Sequence, residues 1–243
     1  MTGPELSVVI PFFNEEESAG ALIDEVLAVM SASGSTFELV LVDDGSKDAT
    51  LRVLREAQRR SPYCRVLRHE RNAGQAAALW HGLHLSRGAI VATLDGDGQN
   101  DPADVPAMLQ RLSAADMVVG IRAGRRDSWL RRTMSRVANA VRRRWLRDGV
   151  SDTGCALKVF RREVIDSFLP IRTLYSFMPA FAAAAGFRVV EQPVAHRARR
   201  AGTSKYGLLV MLWRPLLDMM AIGWFIHRRI PRITVEESKM DGL

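Results

Sequence analysis

The sequence predicts an α/β fold, in which a mostly parallel sheet is flanked by helices and amphipathic helices follow at the C-terminal end. Short apolar runs alternate with segments of helical spacing over the first 120 residues, an order typical of βαβ units. Acids and glycines follow several of the apolar runs, and parallel sheets bind ligands beyond the carboxyl ends of their strands. Beyond residue 120 the chain becomes basic and partly amphipathic.

The elements of the first half follow two patterns. Residues 6–11 form a short apolar run and predict a buried strand, whereas the apolar residues of 15–30 recur at helical spacing and predict a helix. The same patterns predict the elements that follow. In chain order these are strand 37–42, helix 48–59, strand 65–68, helix 74–85, strand 89–94, helix 102–112 and strand 117–120.

The second half is predicted to be less regular. Residues 129–147 hold seven Arg and no acid, and their apolar residues fall on one face, so they predict an amphipathic helix. After it we expect strand 157–160, a helix from 162, helix 174–185, strand 187–193 and a basic loop at 196–205. We divide the chain into a domain at 1–205, with halves at 1–122 and 123–205, and an amphipathic segment with a tail at 206–243.

The apolar stretch 208–226 is the best candidate for a membrane span. Arg214, Pro215 and Asp218 interrupt it, and each is costly at the centre of a bilayer. We therefore interpret the stretch as a pair of interfacial or packed helices. No signal peptide is expected, because the first apolar run lacks a basic flank and leads directly into three Glu residues.

Composition and charge limit the kinds of protein that this sequence can encode. With 47% hydrophobic and 25% charged residues, the chain of 243 residues is typical of folded globular proteins. Two cysteines are too few for a disulfide scaffold or a four-cysteine zinc site, and they fit a reducing compartment. Residues 1–120 hold 10 basic and 17 acidic side chains, whereas residues 121–243 hold 24 and 10. The second half should therefore bind an anionic partner: nucleic acid, a phosphorylated substrate or anionic lipid.

The segment D-G-D-G-Q at residues 95–99 is the sharpest local motif. It follows a buried strand, so Asp95 and Asp97 leave the edge of the sheet together. Two carboxylates and the amide oxygen of Gln99 suit a hard cation such as Mg²⁺ or Mn²⁺, which could neutralise a departing diphosphate. The structural alternative is an acidic turn that caps the next helix, with Asp101 at the cap and Pro102 at the first helical position.

Two further strand ends carry polar groups. Asp43 begins the segment D-D-G-S and could accept hydrogen bonds from a base or ribose. The segment P-F-F-N-E places Phe13 near Glu15, which suits stacking on a nucleobase and pairing with it. Taken singly, each segment is explained at least as well by a structural role: an Asx turn with a helix cap at the first, and a strand end where Asn14 caps a helix at the second.

Together these segments resemble the nucleotide-sugar-binding half of family 2 glycosyltransferases. The motifs are S-V-V-I-P-F-F-N-E-E, V-D-D-G-S-K-D-A-T, N-A-G-Q-A-A-A and D-G-D-G-Q-N-D-P, and the resemblance extends from residue 6 to about residue 122. It implies the GT-A nucleotide-sugar fold. The site residues that it implies are Pro11, Phe13, Glu15 and Asp43 for the nucleoside, Asp95, Asp97 and Gln99 for the metal and diphosphate, and Arg122 for the phosphate side.

Two segments of the second half are similar to the polyprenyl-phosphate branch of that family, which includes dolichol-phosphate mannosyltransferase and bacterial undecaprenyl-phosphate sugar transferases. They are D-T-G-C-A-L-K-V-F-R-R-E-V and H-R-A-R-R-A-G-T-S-K-Y. The resemblance implies that Asp152 faces the acceptor, and that Arg199, Ser204 and Lys205 belong to a loop that closes over the site and contacts phosphate. Many bacterial members end in hydrophobic spans. None is evident here, so we expect amphipathic surfaces to engage the membrane.

The resemblance implies an inverting, metal-dependent enzyme that moves a sugar from a UDP- or GDP-sugar to a polyprenyl phosphate. Asp97, Asp152 and Arg199 are the expected catalytic residues. We expect a cytoplasmic protein that is peripheral on the inner face of the cell membrane, attracted by anionic lipid, with homo-oligomers left open. The alternatives are a family 2 transferase with a glycan or other non-lipid acceptor, a nucleotide-sugar-binding module without catalysis, and a nucleic-acid-binding protein. The last is disfavoured because the sequence has no recognised reader motif.

Overall fold

The first 120 residues fold as the predicted alternation of strands and helices. The structure is a computed structural model that describes residues 3–122, 142, 144–146, 148–197 and 210–230. Its strands are β1 (Leu6–Phe12), β2 (Phe37–Asp43), β3 (Cys64–Arg68), β4 (Ile90–Thr93), β5 (Met117–Arg122), β6 (Lys158–Arg161) and β7 (Val189–Val194). Its helices are α1 (Glu16–Ala32), α2 (Thr50–Arg60), α3 (Gln75–Leu85), α4 (Val105–Arg111), α5 (Leu174–Ala184) and α6 (Val210–Arg228), with 3₁₀ helices at Pro102–Asp104 and Arg162–Ser167.

The described strands form one sheet in the order β3-β2-β1-β4-β6-β5-β7. Every neighbouring pair is parallel except those that involve β6, which runs antiparallel to β4 and to β5. The expected mostly parallel α/β fold is thus confirmed. Phe12 pairs with Asp43 in the parallel register of β1 and β2. The carboxyl ends of these two strands therefore lie level with each other at one edge of the sheet.

The hydrophobic core consists of two clusters that share the strands. Alternate residues of β1 face opposite sides: Val8 and Ile10 belong to the first cluster, with residues of α1, α2 and α4, and Val9 belongs to the second, with residues of α3 and α5. β1 and β2 are buried along their whole length. Helices on both faces bury such a sheet completely, which explains why its central strands read as continuous apolar runs.

The predicted helix 102–112 is divided in two. Asp101 accepts a hydrogen bond from the backbone N–H of Ala103 and caps a 3₁₀ turn, as the structural interpretation of that acidic turn expected. An α-helix then begins at Val105, with Pro106 in its first turn. Proline is tolerated in a first turn, where its missing N–H has no partner to lose. The segment from residue 162 is also a 3₁₀ helix and not an α-helix.

Two other local predictions were wrong. Asn14 does not cap α1; its φ is 53°, and its side-chain oxygen accepts a hydrogen bond from the backbone N–H of Lys47. The stretch 208–226 is not a pair of helices, because the single helix α6 runs through Pro215. Within the described part of the chain, no helix is both long enough and apolar enough to cross a membrane.

Helix α6 packs on the second core cluster with one face only. Ile222 is buried there, and Met219 and Ile226 pack beside it. Leu217 and Trp224, which lie on α6 as well, are 64% and 65% exposed. Of the predicted helix 129–147, residues 142 and 144–146 are described and are helical, while the remainder lies outside the described residues. Helix α6 is therefore amphipathic in its packing, as well as in its sequence.

Candidate active site

A cavity of about 310 Å³ lies at the carboxyl ends of β1, β2 and β4. This is where the sheet topology places ligands, since the loops that follow parallel strands converge there. The residues that line it are Pro11, Phe12, Phe13, Glu15, Asp44, Asn72, Gly74, Gln75, Asp95, Gly96 and Asp97. Five of them, Pro11, Phe13, Glu15, Asp95 and Asp97, are site residues predicted from the sequence. The structure thus brings the predicted nucleoside side and the predicted diphosphate side into one space.

The turn after β4 holds the two carboxylates of the D-G-D-G-Q motif. Asp95 Oδ1 accepts a hydrogen bond of 2.5 Å from Gln75 Nε2, and Asp97 Oδ1 accepts one of 3.0 Å from the backbone N–H of Gln99. The carbonyl of Gly96 accepts from Ser18 Oγ on α1. A Cβ at Gly96 would lie 2.6 Å from the buried Phe12 ring, so only glycine fits between the carboxylates. The turn is therefore held from three sides.

The donor set of this turn fits a hard divalent cation. Two carboxylates that project into one cavity are what Mg²⁺ uses in proteins when substrate phosphates supply further oxygens. Among the residues that the structure describes, no group of three or more His, Cys, Asp or Glu side chains is placed to hold a metal ion. A cation held by Asp95 and Asp97 would have coordination positions left for the oxygens of a bound diphosphate.

Asp43 and Asp44 occupy different environments although they are adjacent in the chain. Asp43 is fully buried: its Oδ1 accepts from the backbone N–H of Ser46, and its Oδ2 has no hydrogen-bond partner within the described structure. Asp44 is buried as well, with 2% of its surface exposed, but unlike Asp43 it lines the cavity. Sequence reasoning assigned the nucleoside to Asp43 and did not single out Asp44. The role of Asp43 stays a prediction.

Asp44 organises the loop at residues 71–74. Its Oδ1 accepts from the backbone N–H of Ala73 at 2.9 Å, and its Oδ2 accepts from that of Gly74 at 2.8 Å and from Asn72 Nδ2 at 2.8 Å. The sequence signal for this loop was the N-A-G-Q motif, which contributes three of the lining residues. We conclude that Asp44 shapes the wall of the cavity by hydrogen bonding to the backbone behind it.

Arg122 and Asp152 form a bidentate ion pair beside β5. Arg122 Nε and Nη2 donate to the two carboxylate oxygens of Asp152, each at 2.8 Å. Glu191 of β7 accepts from the backbone N–H groups of Ser151 and Asp152 and holds their loop. Burial raises the pKa of Asp152, but the hydrogen bonds and the charge of Arg122 outweigh this effect and hold that pKa below its usual value. Arg122 and Asp152, which the resemblance assigned to phosphate and to the acceptor, thus form an ion pair. Neither residue lines the cavity.

Lys158 is a buried cation that sequence reasoning missed. It lies on β6 with 1% of its surface exposed, and its Nζ donates to the carbonyl oxygen of Cys155. Burial lowers the pKa of Lys158, and the negative charges of Asp95 and Asp152 oppose that effect. Strand β6 lies between β4 and β5 in the sheet, so Lys158 is close enough to interact electrostatically with Asp95 and Asp152. Nothing in its local sequence pattern distinguishes it from a surface lysine.

The predicted basic loop at 196–205 begins in contact with the acidic segment at residues 95–101. The backbone N–H of Arg197 donates to the carbonyl of Gln99, and the Arg197 guanidinium bonds Glu25 and Asp101, each at 2.6 Å. Gln99 itself is not a lining residue of the cavity. Arg199, Ser204 and Lys205 lie outside the described residues, so their assignment to phosphate stays a prediction.

Gly45 is expected to be essential for the packing of the loop at 71–74. Its φ is 68°, and a Cβ there would lie 2.5 Å from the backbone carbon of Arg71 and 2.6 Å from the nitrogen of Asn72. Gly45→Ala should lower the free energy of unfolding by about 2–4 kcal/mol, as left-handed strain adds to overpacking. Urea unfolding measures this loss. Gly34→Ala is the matched control, because φ there is 75° and no atom lies within 4 Å. Equal losses in both variants would contradict the backbone contact.

Comparison with known proteins identifies the family. Residues 7–169 match the family described as Glycosyl transferase family 2. Dodecaprenyl-phosphate galacturonate synthase of Rhizobium johnstonii is 40% identical over 229 residues, which cover 92% of this chain and 68% of that protein. Undecaprenyl-phosphate 4-deoxy-4-formamido-L-arabinose transferase of Edwardsiella ictaluri is 40% identical over 210 residues, covering 85% of this chain and 64% of that protein. The chain thus spans about two thirds of the length of the curated relatives that it matches.

Solved structures share the fold. Glucosyl-3-phosphoglycerate synthase from Mycobacterium tuberculosis, in complex with phosphoglyceric acid, has a TM-score of 0.67 at 22% identity, covering 92% of this chain and 80% of that one. The same enzyme in complex with Mn²⁺, UDP and glucosyl-3-phosphoglycerate has a TM-score of 0.61 at 20% identity, covering 93% and 78%. Its complex with Mg²⁺ and UDP gives 0.64 at 22%, covering 93% and 77%. At these identities the similarity concerns the fold alone, and it confirms the expected GT-A fold.

These comparisons agree with the motifs that indicated the family. The matched region contains all four motifs of the first half and the D-T-G-C segment of the second. The two relatives named above each carry a polyprenyl phosphate in their names. The chain belongs to glycosyl transferase family 2, in the branch of the polyprenyl-phosphate sugar transferases.

Proposed function

We propose that this protein is an inverting glycosyltransferase that moves a sugar from a nucleoside diphosphate to a polyprenyl phosphate. The observation that carries the proposal is that Phe13 and Glu15 line the same cavity as Asp95 and Asp97. An aromatic ring and a carboxylate suit a nucleoside, and two further carboxylates suit a cation on its diphosphate. Relatives named for dodecaprenyl and undecaprenyl phosphate support a polyprenyl phosphate as the acceptor.

We propose that the nucleotide-sugar donor and its cation bind next to each other in the cavity. Phe13 would stack on the base and Glu15 would accept its hydrogen bonds, with Pro11 and Asp43 supporting the nucleoside. When bound, Mg²⁺ or Mn²⁺ would neutralise the charge that develops on the departing diphosphate. Asp95 and Asp97 would hold it, aided by Gln99. The UDP complexes of the shared fold make UDP-sugars the first donors to test, ahead of GDP-sugars.

The proposed acceptor reduces the need for a general base. A phosphate monoester has a second pKa near 6, so it is largely a dianion at pH 7 and already nucleophilic. Asp152, whose pKa Arg122 lowers, is a weak base and is better suited to orient Arg122 towards phosphate. Arg199, Ser204 and Lys205 would complete the set of groups that bind phosphate. In this mechanism charge stabilisation dominates and proton transfer contributes little.

The exposed face of α6 supports a lipid acceptor over a soluble glycan. Leu217, Met220 and Trp224 recur at helical spacing and are 64%, 60% and 65% exposed. His227 and Arg228 follow at the end of the helix, and the Arg228 guanidinium lies 5.9 Å from the centre of the Trp224 ring. An apolar stripe bordered by basic residues is typical of a helix that lies in an anionic membrane surface. We therefore propose peripheral attachment through α6, at the cytoplasmic face.

Trp224→Ala should weaken binding to vesicles that contain anionic phospholipid by about tenfold or more, since burying a large apolar side chain contributes about 1.5–3 kcal/mol. Flotation of the protein with vesicles of fixed composition measures this change. Leu85→Ala is the control, because Leu85 is an exposed apolar residue at the end of α3, 52% accessible, and should leave binding unchanged. Equal effects of the two substitutions would argue against a specific role of α6.

The proposal is tested by incubating the purified protein with Mg²⁺ or Mn²⁺, a panel of UDP- and GDP-sugars and undecaprenyl phosphate in detergent or vesicles. We expect release of nucleoside diphosphate together with a lipid-linked sugar of matching mass, in amounts that depend on the metal. Product of opposite anomeric configuration to the donor would establish inversion. Release of nucleoside diphosphate without lipid-linked product would point to a different acceptor and would overturn the proposal as stated.

A further inference from the structure

A chain of hydrogen bonds leads from two histidines to the cavity. His69 follows β3, and its Nδ1 lies 2.7 Å from Asp44 Oδ1. His81 lies on the exposed side of α3, and its Nδ1 lies 2.9 Å from His69 Nε2. The two rings meet edge to face, with centroids 5.0 Å apart at 86°. None of the motifs that indicated the family contains either histidine.

The other hydrogen-bond partners of Asp44 determine which atoms donate and which accept in this series of hydrogen bonds. Both carboxylate oxygens already accept from the loop at 72–74, so His69 Nδ1 must donate to Asp44. In a neutral His69 the Nε2 atom is then an acceptor, and His81 Nδ1 donates to it. His81 thereby sets the tautomer that lets His69 bond Asp44. The side chain of His69 is 14% exposed, so its geometry is largely fixed by the protein.

Beyond Asp44, further contacts lead to the carboxylate of Asp95, which the proposed function assigns to the cation and diphosphate. Asp44 holds the backbone N–H groups of Ala73 and Gly74, and Gly74 immediately precedes Gln75. Gln75 Nε2 in turn donates to Asp95 Oδ1 at 2.5 Å. Asn72, Gly74, Gln75 and Asp95 all line the cavity. The loop at 72–75 therefore connects the acidic end of β2 with the acidic turn after β4.

We propose that His69, oriented by His81, is a positioning residue that holds the loop at 72–75 and, through Gln75, the orientation of Asp95. This inference rests on the proposed function, because Asp95 matters for the cation and diphosphate of that reaction. His69 does not line the cavity, so it acts through Asp44 and touches no substrate. Its loss should weaken the binding of metal and nucleoside diphosphate more than it slows the chemical step.

The first test measures hydrogen exchange without any ligand. In His69→Leu we expect the backbone N–H groups of Ala73 and Gly74 to exchange about tenfold faster, as one charge-assisted hydrogen bond is lost. His69→Asn keeps a donor at the place of Nδ1 and should restore slow exchange. His81→Ala, a surface substitution, should raise exchange by about threefold. His84→Ala is the control, because His84 lies on the same helix and its described contacts are with the carbonyl and the ring of Trp80, and not with His69 or Asp44. Unchanged exchange in His69→Leu and His81→Ala would overturn the proposal.

The second test measures binding of Mn²⁺ with UDP, or with whichever nucleoside diphosphate the wild-type protein binds, by calorimetry. We expect the dissociation constant to rise about tenfold in His69→Leu and to stay within twofold of the wild type in His69→Asn and His84→Ala. Faster exchange with unchanged binding would overturn the link from the loop to Asp95. A wild-type protein that binds no nucleoside diphosphate would overturn the proposed function itself, a result distinct from any difference between variants.

Discussion

Asp97→Ala is expected to lower kcat by about a thousandfold while the protein stays folded. Asp97 is held by the turn after β4 and lines the cavity, and in the proposed function its carboxylate would bind the cation that neutralises the departing diphosphate. Removing one group that stabilises developing charge in an enzyme costs about 10²–10³ in kcat, and loss of a metal ligand adds to this. Steady-state kinetics over a range of Mn²⁺ concentrations, with circular dichroism to verify folding, measure the effect.

The matched control for this variant is Asp24→Ala on α1. It changes the net charge equally, but Asp24 is exposed and contacts Arg60 at 3.2 Å on the surface. We expect its kcat to remain within twofold of the wild type. Should Asp97→Ala keep a tenth or more of the wild-type kcat at saturating metal, the assignment of Asp97 to the cation would be wrong.

Arg122→Met is expected to lower the free energy of unfolding at pH 7 by about 3 kcal/mol, because it leaves the carboxylate of Asp152 largely buried and without its partner. We also expect kcat to fall about a hundredfold, since the proposed phosphate-side arginine is lost. Urea unfolding and steady-state kinetics on the same preparation measure both effects. Arg60→Met provides the comparison, because its exposed ion pair with Asp24 should contribute less than about 1 kcal/mol.

The dependence on pH tests the cause of this loss. In the wild type, Arg122 lowers the pKa of Asp152, so the pair stabilises the fold above the unfolded pKa of about 3.9 and loses this contribution as pH falls through the folded value. In Arg122→Met the guanidinium no longer lowers that pKa, while burial still raises it and the backbone N–H groups of residues 122 and 154 still lower it. The difference in stability between wild type and variant should therefore be largest near neutral pH and shrink below about pH 4. A difference that does not depend on pH would point to lost packing. Asp152→Asn in the Arg122→Met background should recover part of the stability.

The positions of the first four strands followed from the sequence to within one residue at each end. β1 was predicted at 6–11 and spans Leu6–Phe12, and β2 was predicted at 37–42 and spans Phe37–Asp43. This success has a physical cause: parallel strands covered by helices on both faces are continuous apolar runs, which differ clearly from the helical spacing around them. The antiparallel direction of β6 had no such signal, because the apolar pattern of a strand is the same in both directions.

Part of the site followed from the sequence as well. Pro11, Phe13, Glu15, Asp95 and Asp97 were expected to share a site, and the structure brings them to one cavity. That expectation depended on the rule that the carboxyl ends of parallel strands meet at one edge. The roles of these residues in binding remain predictions, to be decided by the kinetic experiments above.

The sequence by itself determined the mostly parallel α/β architecture, the family and the strand ends at which the acids lie. Local periodicity and motif spacing encode these features. Only the tertiary structure decided that Asp44 lines the cavity while the adjacent Asp43 does not, that Arg122 pairs with Asp152, and that His69 bonds Asp44. Each of these depends on which side of the sheet a side chain faces and on partners 25 or more residues away in the chain. Such contacts are fixed by packing between elements, which the pattern within one element does not contain.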